Sequence, residues 1–82
     1  MNLLSDNDWN ALSNALRRSE ALSLTRALGD LELVAEVAKA PEAWSSETLL
    51  GITVRRNGRV LARQWFEDAA RAKTEVRRWR VW

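Results

Sequence analysis

The dipeptide Asn57-Gly58 constrains the fold of this chain more than any other local feature. Before it, apolar residues alternate with small or polar ones through Leu50, Ile52 and Val54, and a second β-prone run follows over residues 59–66. Asn-Gly is a preferred pair for a two-residue type I′ turn, because both central residues of that turn need a positive φ. The pattern therefore predicts a β-hairpin over residues 49–66.

The N-terminal half has helical spacing instead. Ser5 stands in the N-cap position, and Trp9, Leu12 and Leu16 fall on one face of a helix that begins at about Asp6. A second apolar series, with spacings of three and four residues, comprises Ala21, Leu24, Leu28, Leu31, Ala35 and Ala38. We therefore expect residues 6–40 to form two or three short helices.

Residues 29–40 leave an alternative open. Gly29-Asp30 fits a glycine after one helix followed by the N-cap of the next. Residues 31–37 also alternate as a strand does, but their Leu, Glu and Ala are good helix formers, which favours a helix. Pro41 ends this segment, and we expect Trp44 to anchor the connection that follows.

Helical spacing returns after the hairpin, and it predicts a final helix over residues 67–80. The alternative is a third strand over residues 74–82, in which neither face would be cleanly apolar. The predicted fold class is α+β: a single compact domain of residues 1–82, with a helical N-terminal half, a β-hairpin and a C-terminal helix. The apolar residues of the final series are Trp65, Ala69, Ala72, Val76 and Trp79.

Composition excludes several kinds of chemistry. The 82 residues include no cysteine and no histidine, so disulfides, thiolate or imidazole zinc sites and the commonest general base are absent. Three acidic pairs stand at predicted helix starts, where capping explains them without catalysis; they are Asp6/Asp8, Asp30/Glu32 and Glu67/Asp68. We therefore predict that the chain is not an enzyme and has no catalytic residue, cofactor or bound metal.

The expected location is the cytoplasm of a bacterium or of a phage-infected host cell. Residues 1–6 lack the cationic start and apolar run of a secretory signal, and no apolar run approaches the roughly 20 residues that cross a bilayer. We expect a soluble protein with no membrane partner.

Charge is distributed unevenly along the chain. Residues 1–50 carry four basic and eight acidic side chains, whereas residues 51–82 carry nine basic and three acidic ones. The two halves can neutralise each other, or the basic half can bind an anionic partner. The candidate partner-binding residues are Arg55, Arg56, Arg59, Arg63, Arg77, Arg78, Arg80 and Trp82.

The two-residue turn predicts cross-strand neighbours for these arginines. Arg56 falls opposite Arg59, Arg55 opposite Val60, and Ile52 opposite Arg63. Because like charges that face each other destabilise a sheet, we expect either a nearby carboxylate, such as Glu47, Glu67 or Asp68, or an external anion to offset them.

These features favour a small binding protein that docks an arginine–tryptophan surface on a larger protein or nucleoprotein complex, as an inhibitor or adaptor from a phage or mobile element. In size and in its lack of catalytic residues the chain is similar to phage-encoded inhibitors such as anti-CRISPR proteins. The alternatives are direct DNA or RNA binding through the basic half, and a structural homo-oligomer, for which a homodimer is the simplest form.

The ββα order supports the nucleic-acid alternative. Residues 52–79, with Phe66 closing the second strand and Trp79 near the end of the helix, resemble the arm-type DNA-binding domains of phage integrases. Those domains usually have three strands before the helix, whereas only two are expected here. The resemblance implies DNA binding by this part of the chain.

Overall fold

The computed structural model describes residues 3–39 and 47–81, which form two helices and one antiparallel sheet. The four strands follow one another in space as in the sequence, so the sheet is a meander in the order β1-β2-β3-β4. In chain order the elements are α1 (Asp6–Arg18), β1 (Leu22–Leu28), β2 (Leu31–Lys39), β3 (Thr48–Arg56), β4 (Arg59–Phe66) and α2 (Ala69–Arg78).

The predicted fold class is wrong in the N-terminal half. Of residues 3–39, only residues 6–18 are α-helical, and residues 22–39 form a β-hairpin, β1–β2, with its turn at Gly29-Asp30. Gly29 has a φ of 61° whereas Asp30 has no positive φ, which fits a two-residue turn with glycine in its first central position. The helical spacing of the leucines arose because two alternating strands and their turn also place apolar residues three and four positions apart.

Pairing with β3 explains why residues 31–39 form a strand despite good helix formers. One face of β2 consists of buried residues in strict alternation, and three of them, Leu33, Ala35 and Val37, lie opposite core residues of β3. Helix propensity is a weak preference that such packing overrides. The buried residues of β2 are Leu31, Leu33, Ala35 and Val37.

The second hairpin, β3–β4, is confirmed at the predicted position. Asn57 and Gly58 have φ values of 51° and 80°, as a type I′ turn requires. Arg56 pairs with Arg59 and Arg55 with Val60, but the register shifts between Val54 and Arg55. This shift is a β-bulge, which the turn alone did not predict.

Because of the bulge, the side chains of β4 that follow it point to the opposite faces of the sheet from those that the turn predicted. Arg63 pairs with Thr53 rather than with Ile52, as the prediction had it, and Gln64 takes the place opposite Ile52. Because side chains alternate across a strand, a shift of one residue moves Arg63 and Trp65 away from the core face and puts Phe66 in the core.

Both helices begin at side-chain caps. The Ser5 hydroxyl accepts from the Asp8 N–H at 3.1 Å, and the Asp8 carboxylate accepts from the Ser5 N–H at 3.0 Å, which completes a capping box. Asp68 caps α2 by accepting from the Ala70 N–H at 2.7 Å. The final helix is therefore confirmed, and the alternative strand over residues 74–82 is wrong, because α2 continues to Arg78.

One core lies between the helices and one face of the sheet. The apolar stripes of α1 and α2 cover the apolar faces of β2 and β3. The opposite face of the sheet, here called the open face, carries no helix of residues 3–39 or 47–81. Neither helix of the described residues has the length and apolar character needed to cross a membrane. The helical core residues are Trp9, Leu12, Ala15, Ala69, Ala72 and Val76.

The two turns lie side by side at one end of the sheet, here called the turn end. The Asn57 N–H donates to the Asp30 carbonyl oxygen at 3.2 Å. α2 starts close after β4 at the other end of the sheet and runs back toward the turn end, where Lys73 reaches Asp6 at the start of α1 at 3.1 Å. The topology therefore brings the arginines of the second hairpin and of the chain's last residues toward the same end.

Candidate partner-binding surface

The candidate arginines occupy three places in the fold. Arg55, Arg56 and Arg59 flank the second turn, and Arg63 lies on the open face of β4. A third group, Arg77, Arg78 and Arg80, lies in the last turn of α2 and just beyond it. Two of the predicted features, the Trp44 anchor and the candidate residue Trp82, lie outside the described residues.

Two of the arginines form ion pairs with carboxylates of the first hairpin. Arg55 Nη1 lies 3.3 Å from Glu32 Oε1, and Arg56 Nε lies 3.5 Å from Asp30 Oδ2. Internal neutralisation therefore applies to this part of the basic half. All four side chains are between 41% and 53% exposed, and ion pairs that exposed contribute only about 0.2–1 kcal/mol.

The carboxylates that the sequence favoured as partners were different ones. Glu47, Glu67 and Asp68 were the expected candidates, whereas Asp30 and Glu32 lie beside the arginines. The reason is the β1–β2 hairpin, whose acidic turn packs against the basic turn of β3–β4. If residues 30–40 formed a helix, Asp30 and Glu32 would not be paired in register with Arg56 and Arg55 across neighbouring strands.

The remaining five candidate arginines form no ion pair with a carboxylate of residues 3–39 or 47–81. Arg77 and Arg78 have a structural role in any case, since cations in the last turn complement the partial negative charge of a helix C-terminus. Arg59 and Arg63 on β4 have no such role. On the sheet, these two are therefore the candidates for an external anion, and Arg80, beyond the end of α2, is likewise without an ion pair among the described residues.

Arg63 is held over the ring of Trp65. The Arg63 Cζ lies 5.8 Å from the Trp65 ring centroid, within the range of a cation–π interaction. The Trp65 ring covers Gly51 so closely that a Cβ on Gly51 would lie 2.8 Å from the Cζ3 of the ring. Thr53, next to Gly51 on the open face, is only 6% exposed. The open face thus has a packed edge that orients the guanidinium of Arg63.

Exposed apolar residues accompany the β4 arginines, and the sequence analysis did not single them out. Val60 is 51% exposed and Leu61 37%, and both lie at the bulge between Arg59 and Arg63. The adjacent apolar pair, which interrupts the alternation of β4, was the available signal. We call the exposed residues Arg59, Val60, Leu61 and Arg63 the β4 strip, which follows the edge of the sheet from Arg59 on the helix side to Arg63 on the open face.

The acidic residues form no metal-binding cluster in the described part of the chain, where no group of three or more His, Cys, Asp or Glu side chains converges. Asp8 and Asp68 cap the two helices, as the sequence predicted. Asp30 and Glu32 do not begin a helix; they belong to the first hairpin and contact Arg56 and Arg55.

Comparison of the chain with models of protein families, with curated proteins and with solved structures finds no match. The resemblance to the integrase arm-type domains therefore concerns the order of elements alone.

Proposed function

We propose that this chain is a non-enzymatic binding protein, an adaptor or inhibitor, that binds an acidic and partly apolar surface of a protein partner through the β4 strip. The observation that carries the proposal is the combination of Arg59 and Arg63, which lack an ion pair among the described residues, with the exposed Val60 and Leu61 between them.

The apolar pair favours a protein partner over free nucleic acid. Side chains such as Val60 and Leu61 gain free energy when a partner removes them from water, about 25 cal/mol for each Å² of apolar surface buried. Phosphate backbones offer little apolar surface to cover them. Protein interfaces, in contrast, combine apolar contact with arginines, which are enriched among the residues that dominate binding energy.

The packing of Arg63 supports the same proposal. A free arginine loses rotamer freedom when it binds, which costs about 0.5–1.5 kcal/mol for a side chain of this kind. The contact of Arg63 with Trp65 removes part of that freedom before binding. Its planar guanidinium also suits two parallel hydrogen bonds to a partner carboxylate.

The test compares two double variants that each remove two positive charges. Arg59→Ala/Arg63→Ala changes the β4 strip, whereas Arg17→Ala/Arg18→Ala changes the end of α1, away from the turn end. Each protein is immobilised and exposed to nuclease-treated lysate of the source cell. We expect one or a few proteins to be retained by the wild type and by the α1 variant, and to be lost with the β4 variant.

Two further variants sharpen the result. Val60→Ser/Leu61→Ser leaves the charge unchanged and should also lose the same partner, because the apolar contact is removed. Loss of binding with the arginine variant alone would indicate a purely electrostatic site. Equal retention by all the variants would contradict the proposal.

Direct nucleic-acid binding is the second candidate, favoured by the five arginines without an internal carboxylate partner among the described residues. It predicts retention of a labelled DNA duplex or single strand by the purified protein. That retention should weaken steeply with salt and fall with the β4 arginine variant. Salt-dependent retention, together with no effect of the Val60→Ser/Leu61→Ser change, would favour this candidate over a protein partner.

A further inference from the structure

The two edges of the sheet differ in how they resist pairing with another strand. β4 carries a bulge and two exposed arginines, Arg59 and Arg63, all of which discourage a second strand from adding to it. β1 is a regular strand of seven residues with no bulge in its pairing with β2. It contains no proline, lysine or acidic residue.

The only charged residue of β1 is neutralised within the chain. Arg26 Nη2 lies 2.8 Å from Asp8 Oδ1, and Arg26 Nε lies 3.3 Å from Asp8 Oδ2. At the same edge, Leu28 is 51% exposed. Within residues 3–39 and 47–81, β1 is therefore an unprotected edge, and it leaves an apolar side chain exposed to water.

The register of the first hairpin shows which backbone groups of β1 are unpaired. Leu28 and Leu31 flank the two-residue turn, so they form a hydrogen-bonded pair, and such pairs alternate along an antiparallel ladder. Leu22, Leu24 and Arg26 accordingly bond to β2, whereas the N–H and C=O groups of Ser23, Thr25 and Ala27 point away from the sheet.

These outward groups are self-complementary. An antiparallel copy of β1 placed with Thr25 opposite Thr25 also brings Ser23 opposite Ala27, so that three residues on each strand pair in full. The Thr25 carbonyl already accepts from Arg26 Nη1 at 2.9 Å, and a carbonyl oxygen has a second lone pair for another donor.

We propose that two copies of this chain pair antiparallel through β1, about a two-fold axis at Thr25, to form a continuous eight-stranded sheet. In this arrangement Leu28 of each copy lies opposite Leu22 of the other, on the helix side, so the exposed leucine is covered. A two-fold contact of this kind closes on itself, whereas β1 pairing with the bulged β4 of another copy would continue without end.

The proposed dimer does not depend on the proposed function, but dimerisation would affect how the β4 strip binds a partner. The two β4 strips would lie at the outer edges of the joint sheet, with seven strand spacings of about 4.8 Å, or roughly 34 Å, between them. Such a protein would bind a repeated or two-fold partner bivalently, with a gain in avidity that neither site provides alone.

The experiment measures mass by sedimentation equilibrium over about 5–500 µM. The wild type should shift from the 9.4 kDa monomer toward twice that mass. Thr25→Lys and Thr25→Glu should each weaken the association, by up to about fivefold, because like charges then face each other across the axis. An equimolar mixture of the two variants should restore it.

Two controls keep the proposal open to contradiction. Gln64→Lys adds the same charge to β4, the other edge strand, and should leave the association unchanged. Thr25→Pro removes an N–H that has no partner in the monomer, so it should abolish association while circular dichroism and thermal unfolding remain close to the wild type. A wild type that stays at 9.4 kDa throughout, or charged variants that both associate as tightly as the wild type, would overturn the proposal.

Discussion

The two β-hairpins of this chain share a two-residue turn and yet present opposite kinds of edge. In the first, the register is regular from Leu22 to Leu28, and the outer strand keeps a straight row of unpaired backbone groups. In the second, the bulge after Val54 interrupts the outer strand and displays arginines and apolar residues together. One extra residue in β4 therefore separates an edge suited to strand pairing from an edge suited to side-chain recognition.

The turn regions of the two hairpins also carry opposite charges, and ion pairs between these charges connect the hairpins. The first turn carries Asp30 with Glu32 next to it, and the second carries Arg55 and Arg56. Because β2 and β3 are neighbours, these groups meet across the middle of the sheet. The net charges of the two halves are therefore partly neutralised where β2 meets β3. The arginines of β4 lie farther from this contact and have no carboxylate partner among the described residues.

The largest expected change in the free energy of unfolding comes from a substitution on the open face of the second hairpin, where side chains are packed. The matched substitution in the first hairpin, where the open face is exposed, should have little effect. Gly51 and Ser23 lie in the same cross-strand row, with Glu36 between them. Gly51→Val places methyl groups against the Trp65 ring and should reduce the free energy of unfolding by about 1–3 kcal/mol, as overpacking does. Ser23→Val should change it by about 0.5 kcal/mol or less.

Urea unfolding followed by far-UV circular dichroism measures both changes. A Gly51→Val protein as stable as the wild type would mean that Trp65 moves off Gly51 without cost, and the open face of β4 would then be no more ordered than that of β1.

The turn glycines test whether the two turns are equally strained, and the expected effect is smaller. Gly29 and Gly58 both have a positive φ, and nothing lies within 4 Å of a Cβ added to either. Gly29→Ala and Gly58→Ala should therefore each cost about 1–2 kcal/mol through backbone conformation alone. Replacement by asparagine, which tolerates a positive φ, should cost less.

The same unfolding measurement applies to all four variants. If Gly29→Ala is nearly neutral while Gly58→Ala is not, the first turn can adopt another conformation. The two hairpins would then differ in turn as well as in edge.

The difference between the turns also explains what the sequence predicted correctly. Asn57-Gly58 demands positive φ at two successive residues and so indicates a hairpin without reference to the rest of the chain. Gly29-Asp30 needs it at one residue only, which a helix C-terminus requires as well. The first hairpin depends on the pairing of β2 with β3, which no local pattern specifies.

The candidate surface, like the fold, was predictable only in part from the sequence. The arginines of β4 were found from composition and from the position of the turn, but their face was assigned wrongly for Arg63 because a bulge leaves little signal in a single sequence. The ion pairs of Arg55 and Arg56 followed from the first hairpin, so an error in the fold hid two internal partners. Val60 and Leu61 were overlooked because alternation was assumed to continue through them.

The smallest expected effect on stability concerns the ion pair between Arg26 of the first hairpin and Asp8 of α1. The Ser5 N–H, and next the Arg26 guanidinium, lower the pKa of the Asp8 carboxyl below its ordinary value. Its ionised form is thus bound more favourably in the folded chain than in the unfolded one. The resulting stabilisation is fully present above the unfolded pKa of about 3.9 and is lost as the pH falls through the lower folded pKa.

Asp8→Asn should therefore reduce the free energy of unfolding by roughly 0.5–1 kcal/mol at pH 7, the size expected of a partly exposed ion pair. The gap between wild type and variant should narrow as the pH falls below about 4, first because the Asp8 carboxylate of the unfolded chain is protonated and then because that of the folded chain is. Arg26→Gln, alone and combined with Asp8→Asn, separates the contribution of the guanidinium from that of the capping box. A gap that stays constant from pH 7 to pH 2.5 would mean that Asp8 acts through packing. The first hairpin would then have no electrostatic link to α1 through Asp8, and Arg26 would carry an uncompensated charge at the edge where we propose that two copies meet.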